Sequence, residues 1–508
     1  MTSTPVWSVD PRTGRRRHEV AAESQTADVD RIVRAAHAST PALADRERRS
    51  LFLRTAADLL GERAAELAET ADAETALGTV RLAGEIVRTR DQLRGFAEVV
   101  DAGEYLGIVI DHPDGSGAVP TPDLRRYKIP LGVVAVYAAS NFPFAFSVAG
   151  GDTASALAAG CAVVVKVHPD HPATSEAVAA VLREAAVACG VPLEVVGLVH
   201  GFDAGVDLIV HPLIAASGFT GSVRGGRALH DAAAARPVPI PFHGELGSLN
   251  PVLVTEDAAK ERGGEIAAGL ATSMTAGHGQ FCVKPGLVFV PSDDSGDRLV
   301  DEFASALADS APGVLLDHRI RDAFVEGVRA RAALPTVTEP VPLVVADRHR
   351  VGVAALQVPA HAFEAGDTHR LLLEECFGPV TVLVRYRDIE EVFTVLAALT
   401  GSLTTTVHVG DDEAAHPRAL APVLADMARR SGRLVVNGWP TGVAVKPAQH
   451  HGGPYPASTS TSTSVGTTAI ERWLRPITYQ NSPDSLLPAE LREANPYGLP
   501  RRVDGHLV

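Results

Sequence analysis

Several features that would assign the chain to a special class of protein are missing from it. Its 508 residues include only four cysteines, Cys161, Cys189, Cys282 and Cys376, and no CxxC pair, which argues against a zinc site or a thioredoxin-like motif. No apolar run approaches the roughly 20 residues of a membrane span, and the N-terminus lacks the basic and then apolar build of a signal peptide. We therefore expect free thiols, no membrane partner and a cytoplasmic location.

An excess of positive charge is also missing. The formal net charge is −15 and the isoelectric point is about 5.7. Such a chain repels phosphate backbones, so we expect no nucleic-acid partner. The usual dinucleotide fingerprint, GxGxxG after a strand, is absent as well. What remains is an ordinary globular composition, with 46% hydrophobic and 21% charged residues, in a chain too long for one simple core.

Short apolar, β-branched runs alternate with alanine-rich helical segments along most of the chain. Residues 27–105 have the spacing of amphipathic helices. Residues 131–137 and 161–166 are typical of buried strands, and a second alternating block begins near Leu249. Strands that alternate with helices imply parallel, doubly wound sheets. The pattern therefore predicts an α/β fold with two such domains.

The stretch 275–286 holds Cys282 between glycine-rich and proline-rich turns. Small residues let other groups approach the backbone closely, and Pro285 cannot continue a central strand. The thiol is therefore expected on a tight loop. A free cysteine is more often a small buried hydrophobe, so the neighbouring segments have to decide between the two interpretations.

Five segments in a fixed order resemble the signature segments of the aldehyde dehydrogenase superfamily, and the resemblance extends from about Trp7 to the C-terminal region. The segments are 140–143, 218–222, 243–247, 275–286 and 374–379. The resemblance implies a catalytic Cys282, an oxyanion-stabilising Asn141 and a general base at Glu245. It thus implies oxidation of an aldehyde to a carboxylic acid through a cysteine thiohemiacetal and thioester, without a metal.

Each of these residue types suits its role chemically. A thiolate is a strong nucleophile, and a thioester can be hydrolysed afterwards. The Asn141 amide can donate to an oxyanion together with the backbone N–H of Cys282, although alone it would be taken for a turn asparagine. Glu245, flanked by glycine and leucine, would have a raised pKa if buried, which suits a base. A surface-loop glutamate is the alternative.

The resemblance also implies a nicotinamide dinucleotide that is bound without GxGxxG. Lys166, at a strand end, would meet the adenosine ribose. Gly221 and Ser222, at a helix N-terminus, would hold the pyrophosphate. Glu375 would bind the nicotinamide ribose and Phe377 would pack against the ring. In isolation, each of these residues also has an ordinary structural explanation.

The choice between NAD and NADP depends on the residues after Lys166. Pro169 stands where many NAD-preferring members of the family carry a glutamate that repels a 2′-phosphate. Lys166 and His168 are candidates to bind that phosphate, so we expect NADP, with NAD possible. The region after Gly201 offers no arginine to clamp a phosphate, which leaves the preference open.

Residues 166–176, 436–443, 451–457 and 478–488 resemble the branch of the family that contains α-ketoglutarate semialdehyde (2,5-dioxopentanoate) dehydrogenases. That resemblance implies oxidation of this semialdehyde to 2-oxoglutarate. Its carboxylate needs a cation, and the candidates are Arg90 and Arg94, which share one helix face; a solvated basic face is the alternative. His451 is either an auxiliary acid or base near the thiol or a structural histidine.

By the same resemblance, residues 1–120 and 138–243 are expected to form a dinucleotide-binding domain and residues 244–455 a catalytic domain. Residues 121–137 and 456–508 would form a small oligomerisation β-flap in a homodimer or homotetramer. The Ser/Thr run 458–464 is expected to be a flexible surface loop. Two other functions stay open: an NADP-dependent dehydrogenase of aliphatic or aromatic aldehydes, and an inactive structural or binding homologue.

Overall fold

The computed structural model describes residues 4–116, 119–364 and 366–508. The strands are β1 Pro5–Asp10, β2 Arg15–Ala22, β3 Ile108–Asp111, β4 Leu124–Pro130, β5 Val133–Tyr137, β6 Val163–Lys166, β7 Val196–Val199, β8 Ile214–Thr220, β9 Phe242–Glu245, β10 Val252–Val254, β11 Leu287–Pro291, β12 Gly313–Val314, β13 Thr338–Val341, β14 Arg350–Val351, β15 Ala354–Pro359, β16 Val380–Tyr386, β17 Ser402–His408, β18 Ser431–Val436, β19 Leu474–Gln480, β20 Arg501–Val503 and β21 His506–Leu507.

Helices connect most of these strands. The α-helices are α1 Thr26–Ser39, α2 Arg46–Glu62, α3 Ala64–Thr75, α4 Thr79–Ala102, α5 Gly151–Ala159, α6 Pro172–Ala188, α7 Phe202–Val210, α8 Val223–Ala234, α9 Glu256–Thr275, α10 Asp294–Leu307, α11 His318–Ala332, α12 Ile389–Ala398, α13 Asp411–Ala415 and α14 Ala421–Arg429. The helical region predicted at 27–105 is confirmed as α1 to α4 with a 3₁₀ turn at Thr40–Leu43.

The first large sheet is five-stranded and parallel, in the order β7-β6-β5-β8-β9. β5 and β7 are buried at every residue. A parallel sheet whose strands are continuously apolar has both faces covered by helices. Because all five strands run the same way, their carboxyl ends meet at one edge, which is where α/β proteins build their sites.

The second large sheet has the order β13-β15-β16-β11-β10-β17-β18 and is parallel except for β13, which runs antiparallel to β15. Alternate residues of β10 and β11 enter two separate apolar clusters. Leu253 and Phe289 belong to one, whereas Val252 and Val288 belong to the other. Successive strand residues point to opposite faces, so both faces of this sheet are packed. The predicted α/β fold with two parallel, helix-covered sheets is confirmed.

A third sheet, β19-β4-β3-β20-β21, is mostly antiparallel and carries the C-terminal strands. β19 lies at one edge of this sheet and pairs with β4. Of the segment 121–137 assigned to a flap from the sequence, β4 lies in this sheet and β5 lies in the five-stranded parallel sheet. The division into domains and the assembly of subunits stay predictions.

Two expectations from composition concern cysteines and membranes. All four cysteines are free thiols in the structure, as their spacing predicts. Within residues 4–116, 119–364 and 366–508, no helix combines the length and the apolar character needed to cross a bilayer.

Candidate active site

Four of the predicted site residues lie where strands of the five-stranded sheet end. Asn141 comes four residues after β5, Lys166 ends β6, Ser222 follows β8 and Glu245 ends β9. A cavity of about 920 Å³ opens at this edge. Its lining includes most of the predicted catalytic and cofactor residues: Asn141, His168, Gly221, Ser222, Glu245, Cys282, Glu375 and Phe377.

The reactive centre is a cluster of Cys282, Glu245 and His451. The Nε2 atom of His451 lies 3.0 Å from Oε1 of Glu245 and 3.7 Å from Sγ of Cys282. Both Glu245 and His451 are buried, whereas Cys282 is partly exposed. One side-chain atom from each residue lies within 4.8 Å of the others. His451 is therefore beside the thiol, at the position that suits an acid or base.

Protonation in this cluster differs from the sequence-based expectation for Glu245. Burial alone would raise the pKa of its carboxyl group, but His451, Ser464 and Cys282 interact favourably with the charged form and the net pKa is lowered. The predicted raised pKa is wrong, because three polar partners outweigh burial. By contrast, burial and the nearby Glu245 charge raise the pKa of the Cys282 thiol well above its usual value. The pair is thus a carboxylate beside a thiol.

The Ser/Thr run 458–464 supports this cluster instead of forming a surface loop. Ser464 is buried and its hydroxyl donates to Oε2 of Glu245 over 2.8 Å. The Thr463 hydroxyl accepts from the backbone N–H of His451 at 2.8 Å. Ser458 forms a backbone bridge with Glu245. The predicted flexible loop is therefore wrong: low sequence complexity here accompanies a set of small hydroxyl side chains that satisfy buried polar groups.

The turn that carries Asn141 and the loop that carries Cys282 are held together directly. The Asn141 amide donates to the Gln280 carbonyl over 2.8 Å. An amide NH₂ has two donors, so one remains for a ligand. On the other side of the thiol, Asn250 donates to the carbonyls of Cys282 and Lys284, at 2.8 and 3.0 Å. These bonds fix the backbone around Cys282.

The cavity has the features that a dinucleotide requires. Ser222 caps α8, and its hydroxyl accepts from the Gly225 N–H at 3.2 Å, so the positive end of a twelve-residue helix faces the cavity. Glu375 is held at the cavity wall, where burial raises its pKa to about 7. A side chain at Gly247 would clash with it, because an added Cβ would lie 2.7 Å from Oε2 of Glu375. The residues present therefore fit NAD(P).

The distal end of the cavity, which we define by His168, Asp170 and Arg319, carries charges that the sequence did not reveal. Arg319 lies 3.4 Å from Asp170 and also pairs with Asp317. Burial lowers the pKa of His168 well below its usual range, so this ring is neutral and supplies no charge to a phosphate. Asp170 is likewise buried, which raises its pKa well above the usual value.

Lys166 lies just outside this lining, and its aliphatic side chain packs beside Gly205. Burial lowers the pKa of its ammonium group. The sequence did not point to Arg319 as a nearby cation, because this residue lies on α11. That helix belongs with the second large sheet, whereas Lys166 ends a strand of the first.

Arg90 and Arg94, the predicted substrate cations, are not at the site. The Arg90 Nε donates to the Ala57 carbonyl at 2.9 Å, and Arg94 pairs with Asp58 at 2.6 Å. Both therefore face α2, and their assignment to the substrate is wrong. A different face of α4 approaches the reactive centre, where the Arg81 guanidinium donates to the Asn141 carbonyl over 2.7 Å.

Comparison with known proteins agrees with this geometry. Residues 2–476 match the aldehyde dehydrogenase family, and the chain belongs to that family. It is 47% identical to alpha-ketoglutaric semialdehyde dehydrogenase 2 of Azospirillum brasilense over 463 residues, covering 90% of this chain and 87% of that protein. It is 39% identical to alpha-ketoglutaric semialdehyde dehydrogenase of Acinetobacter baylyi, covering 95% and 92% of the two chains.

Among solved structures, the fold is similar to glyceraldehyde-3-phosphate dehydrogenase from Methanocaldococcus jannaschii in complex with NADP. The TM-score is 0.79 at 17% identity, over 94% of this chain and 99% of the other. At that identity the likeness concerns the fold alone. The family match over residues 2–476 confirms the aldehyde dehydrogenase-like architecture expected from the sequence.

Proposed function

We propose that the protein oxidises α-ketoglutarate semialdehyde to 2-oxoglutarate with NAD(P), through covalent intermediates on Cys282. The observation that carries the chemistry is the buried Glu245–His451 pair beside a partly exposed thiol at the wall of a cavity that fits a dinucleotide. Two relatives at 47% and 39% identity bear the name of this semialdehyde's dehydrogenase, which supports the substrate.

The first half-reaction forms the thioester. Glu245, a carboxylate in the resting protein, takes the proton of the Cys282 thiol, and the thiolate adds to the aldehyde carbon. The free N–H of the Asn141 amide and the Cys282 backbone N–H donate to the resulting oxyanion. Bound NAD(P) supplies the two-electron acceptor that turns the thiohemiacetal into a thioester.

The second half-reaction releases the acid. Glu245 first releases to solvent the proton that it took from Cys282, and it then removes a proton from water, which attacks the thioester carbonyl. The acid leaves, and the freed Cys282 thiolate takes that proton back from Glu245. His451 assists by donating its Nε2–H to Oε1 of Glu245. That tautomer is favoured because the Nδ1 atom is buried without a hydrogen-bond partner in the part of the chain that the structure describes, and a protonated Nδ1 would leave a donor unsatisfied.

NADP is the proposed preferred cofactor, with NAD also accepted. Pro169 leaves no carboxylate at the third position after Lys166. Arg319 supplies positive charge at the distal end, and Lys166, just outside the cavity lining, is the second cation nearby. The Asp170 carboxyl group opposes a phosphate only when ionised, and burial disfavours that form.

A second candidate is the oxidation of aliphatic or aromatic aldehydes. It is favoured by the rings next to the thiol, since Phe142 lies 5.1 Å from Phe281 and 5.4 Å from Phe146 between ring centroids. An inactive homologue would have no reason to keep Cys282, Glu245 and His451 within reach of one another.

Initial rates decide between the two candidates. We would measure kcat/KM for α-ketoglutarate semialdehyde and for hexanal, each with NADP and NAD. The proposal expects a value at least tenfold higher for the semialdehyde, which corresponds to about 1.4 kcal/mol of transition-state stabilisation. A higher value for hexanal would establish the second candidate instead.

We also propose that the β19 edge strand pairs across subunits in a homodimer or homotetramer. β19 has an unpaired edge, because its one neighbour in the described sheet is β4, and exposed edges tend to be covered. Light scattering on the purified protein tests this, and a monomer at micromolar concentration would contradict it.

A further inference from the structure

Among the residues that the structure describes, Arg88 has no ion-pair or hydrogen-bond partner, and it lies close to the reactive centre. On α4 it follows Glu85 by three residues and Arg81 by seven, so the three side chains share one face of the helix. Its Nε and Nη2 atoms are buried and have no hydrogen-bond acceptor within the described ranges. A buried charged donor without an acceptor costs stability, and an anionic ligand at these two N–H groups would offset that cost.

Two other arginines near the reactive centre, Arg81 and Arg433, already donate hydrogen bonds to backbone carbonyls. Arg81 donates to the Asn141 carbonyl at 2.7 Å and lies 4.0 Å from Glu85. Arg433 donates to the carbonyls of Pro440 and Gly442, at 2.6 and 3.2 Å. Of these three guanidinium groups, Arg88 is the one with two buried donors still unused.

Aromatic rings hold Arg88 near the groups of the reactive centre. Its guanidinium carbon lies 5.3 Å from the centroid of the Phe146 ring and 6.0 Å from that of Phe142. The Phe146 ring in turn lies 6.3 Å from the His451 ring. Stacking on ring faces holds an arginine in place while leaving its N–H groups free.

The charge of Arg88 reaches the reacting groups. It lowers the pKa of the Cys282 thiol, against the larger raising effects of burial and Glu245. Burial is also the main cause that lowers the pKa of Arg88 itself, whereas Glu85, Cys282 and Glu245 raise it. Arg88 does not line the cofactor cavity, and as a residue it is only partly buried. An anion held by this guanidinium would therefore not occupy the place of the cofactor.

We propose that Arg88 binds the carboxylate of the substrate and so selects aldehydes that carry an acid group. This inference rests on the proposed function. In α-ketoglutarate semialdehyde, four carbon–carbon bonds separate the aldehyde carbon from the carboxylate carbon, a span of about 5 Å with bonds of about 1.5 Å. A guanidinium offers two parallel donors that match the two oxygens of a carboxylate. Without Arg88, no positive charge would offset the repulsion between that carboxylate and the carboxylate of Glu245.

The test compares two substrates in Arg88→Gln and Arg88→Lys. The ratio of kcat/KM for α-ketoglutarate semialdehyde to that for hexanal cancels any general effect on the thiol. We expect this ratio to fall about 10- to 100-fold in Arg88→Gln, the range for losing hydrogen bonds between charged groups. Arg88→Lys keeps the charge but not the paired donors, so its ratio should lie between that of the parent and that of Arg88→Gln. A ratio unchanged within about twofold in both variants would overturn the proposal.

Arg94→Gln is the matched control, because Arg94 lies on the same helix but pairs with Asp58. Its substrate ratio should equal that of the parent. The melting temperature adds a second reading: removing an unpartnered buried charge should leave it unchanged or raise it. A lower melting temperature of Arg88→Gln would indicate a structural role and count against the proposal.

Binding of glutarate separates this inference from the proposed function. Calorimetry without any aldehyde should show that the parent and Arg94→Gln bind glutarate at least tenfold more tightly than Arg88→Gln does. If the parent prefers hexanal as a substrate yet shows this pattern with glutarate, the proposed function fails and the carboxylate site stands. If all three bind glutarate equally, the carboxylate site fails whatever the substrate.

Discussion

The reactive end of the cavity and its distal end are stabilised in different ways. At the reactive end, Glu245, Cys282, His451 and Ser464 come from distant parts of the chain and satisfy one another by hydrogen bonds in a buried setting. At the distal end, Arg319 has a side chain that is 64% exposed, and it pairs with Asp170 at 3.4 Å and with Asp317 at 2.5 Å. Buried, mutually dependent polar groups respond strongly to change, whereas exposed charges respond weakly. The predicted effects of substitution follow that order.

Removing the thiol should have the largest effect. Cys282→Ala leaves no atom to form the thiohemiacetal, and loss of a nucleophile costs on the order of 10⁶ in kcat in a well-studied hydrolase. We expect no dehydrogenase activity above background, measured as NADPH formation. Cys376→Ala, which removes a thiol from the same cavity wall, is the control and should keep most of the activity. Normal turnover by Cys282→Ala would remove the covalent mechanism.

Glu245→Gln should come next. The amide cannot take a proton, so activation of water fails, and loss of general base catalysis costs about 10²- to 10⁴-fold. The same variant also weakens deprotonation of Cys282. Rapid mixing with NADP at saturating aldehyde distinguishes the steps: we expect a burst of NADPH that keeps its amplitude but forms more slowly, which reports deprotonation of Cys282, followed by slow turnover, which reports hydrolysis. Burst and steady-state rates equal to those of the parent would exclude it as the base.

The reactive end also shows where sequence reasoning succeeds and where it stops. Asn141, Ser222 and Glu245 were predicted because their segments resemble the signature segments of the family, and in the structure each follows or ends a strand of one parallel sheet. Ser464 was missed because its partner Glu245 lies 219 residues away, and a Ser/Thr run gives no indication of what it will contact. Only the folded chain supplies that information.

The arginines of α4 show a second limit. Arg88 and Arg90 are two residues apart and therefore point in nearly opposite directions from a helix. One face of α4 packs on α2 and the other approaches the turn at 141–146. Both of these faces of α4 pack against other elements. Hydrophobic periodicity alone therefore does not show which of its arginines lie on the side of Cys282.

Ser464→Ala tests whether the Ser/Thr run positions the base. The Ser464 hydroxyl is one of the groups that lower the pKa of Glu245, so its loss should raise that pKa. The acidic limb of the kcat/KM profile should move to higher pH, because Glu245 must be ionised to act. We expect kcat to fall about tenfold at neutral pH, as for one hydrogen bond to a charged group.

Thr461→Ala is the matched control for Ser464→Ala, since Thr461 belongs to the same run but is exposed. Its pH profile should coincide with that of the parent. A general loosening of the run would change kcat in both variants and leave the acidic limb in place, which would contradict a direct effect of Ser464 on Glu245.

The smallest effect is expected at the distal end, from Arg319→Ala. Because Arg319 is largely exposed, its interaction with a 2′-phosphate should contribute no more than about 1 kcal/mol, or roughly a fivefold change. We expect kcat/KM for NADP to fall about threefold and the value for NAD to stay unchanged, because NAD has no 2′-phosphate for Arg319 to contact. Arg329→Ala changes an exposed arginine of the same helix that lies outside the cavity, and it should alter neither value.

An equal fall for both cofactors would mean that Arg319 supports the fold of the distal end and does not bind the phosphate. If Arg319→Ala lowered kcat/KM for NADP by a larger factor than Ser464→Ala lowers kcat, the order of the two ends would be reversed. An exposed charge would then contribute more to catalysis than a buried hydrogen bond.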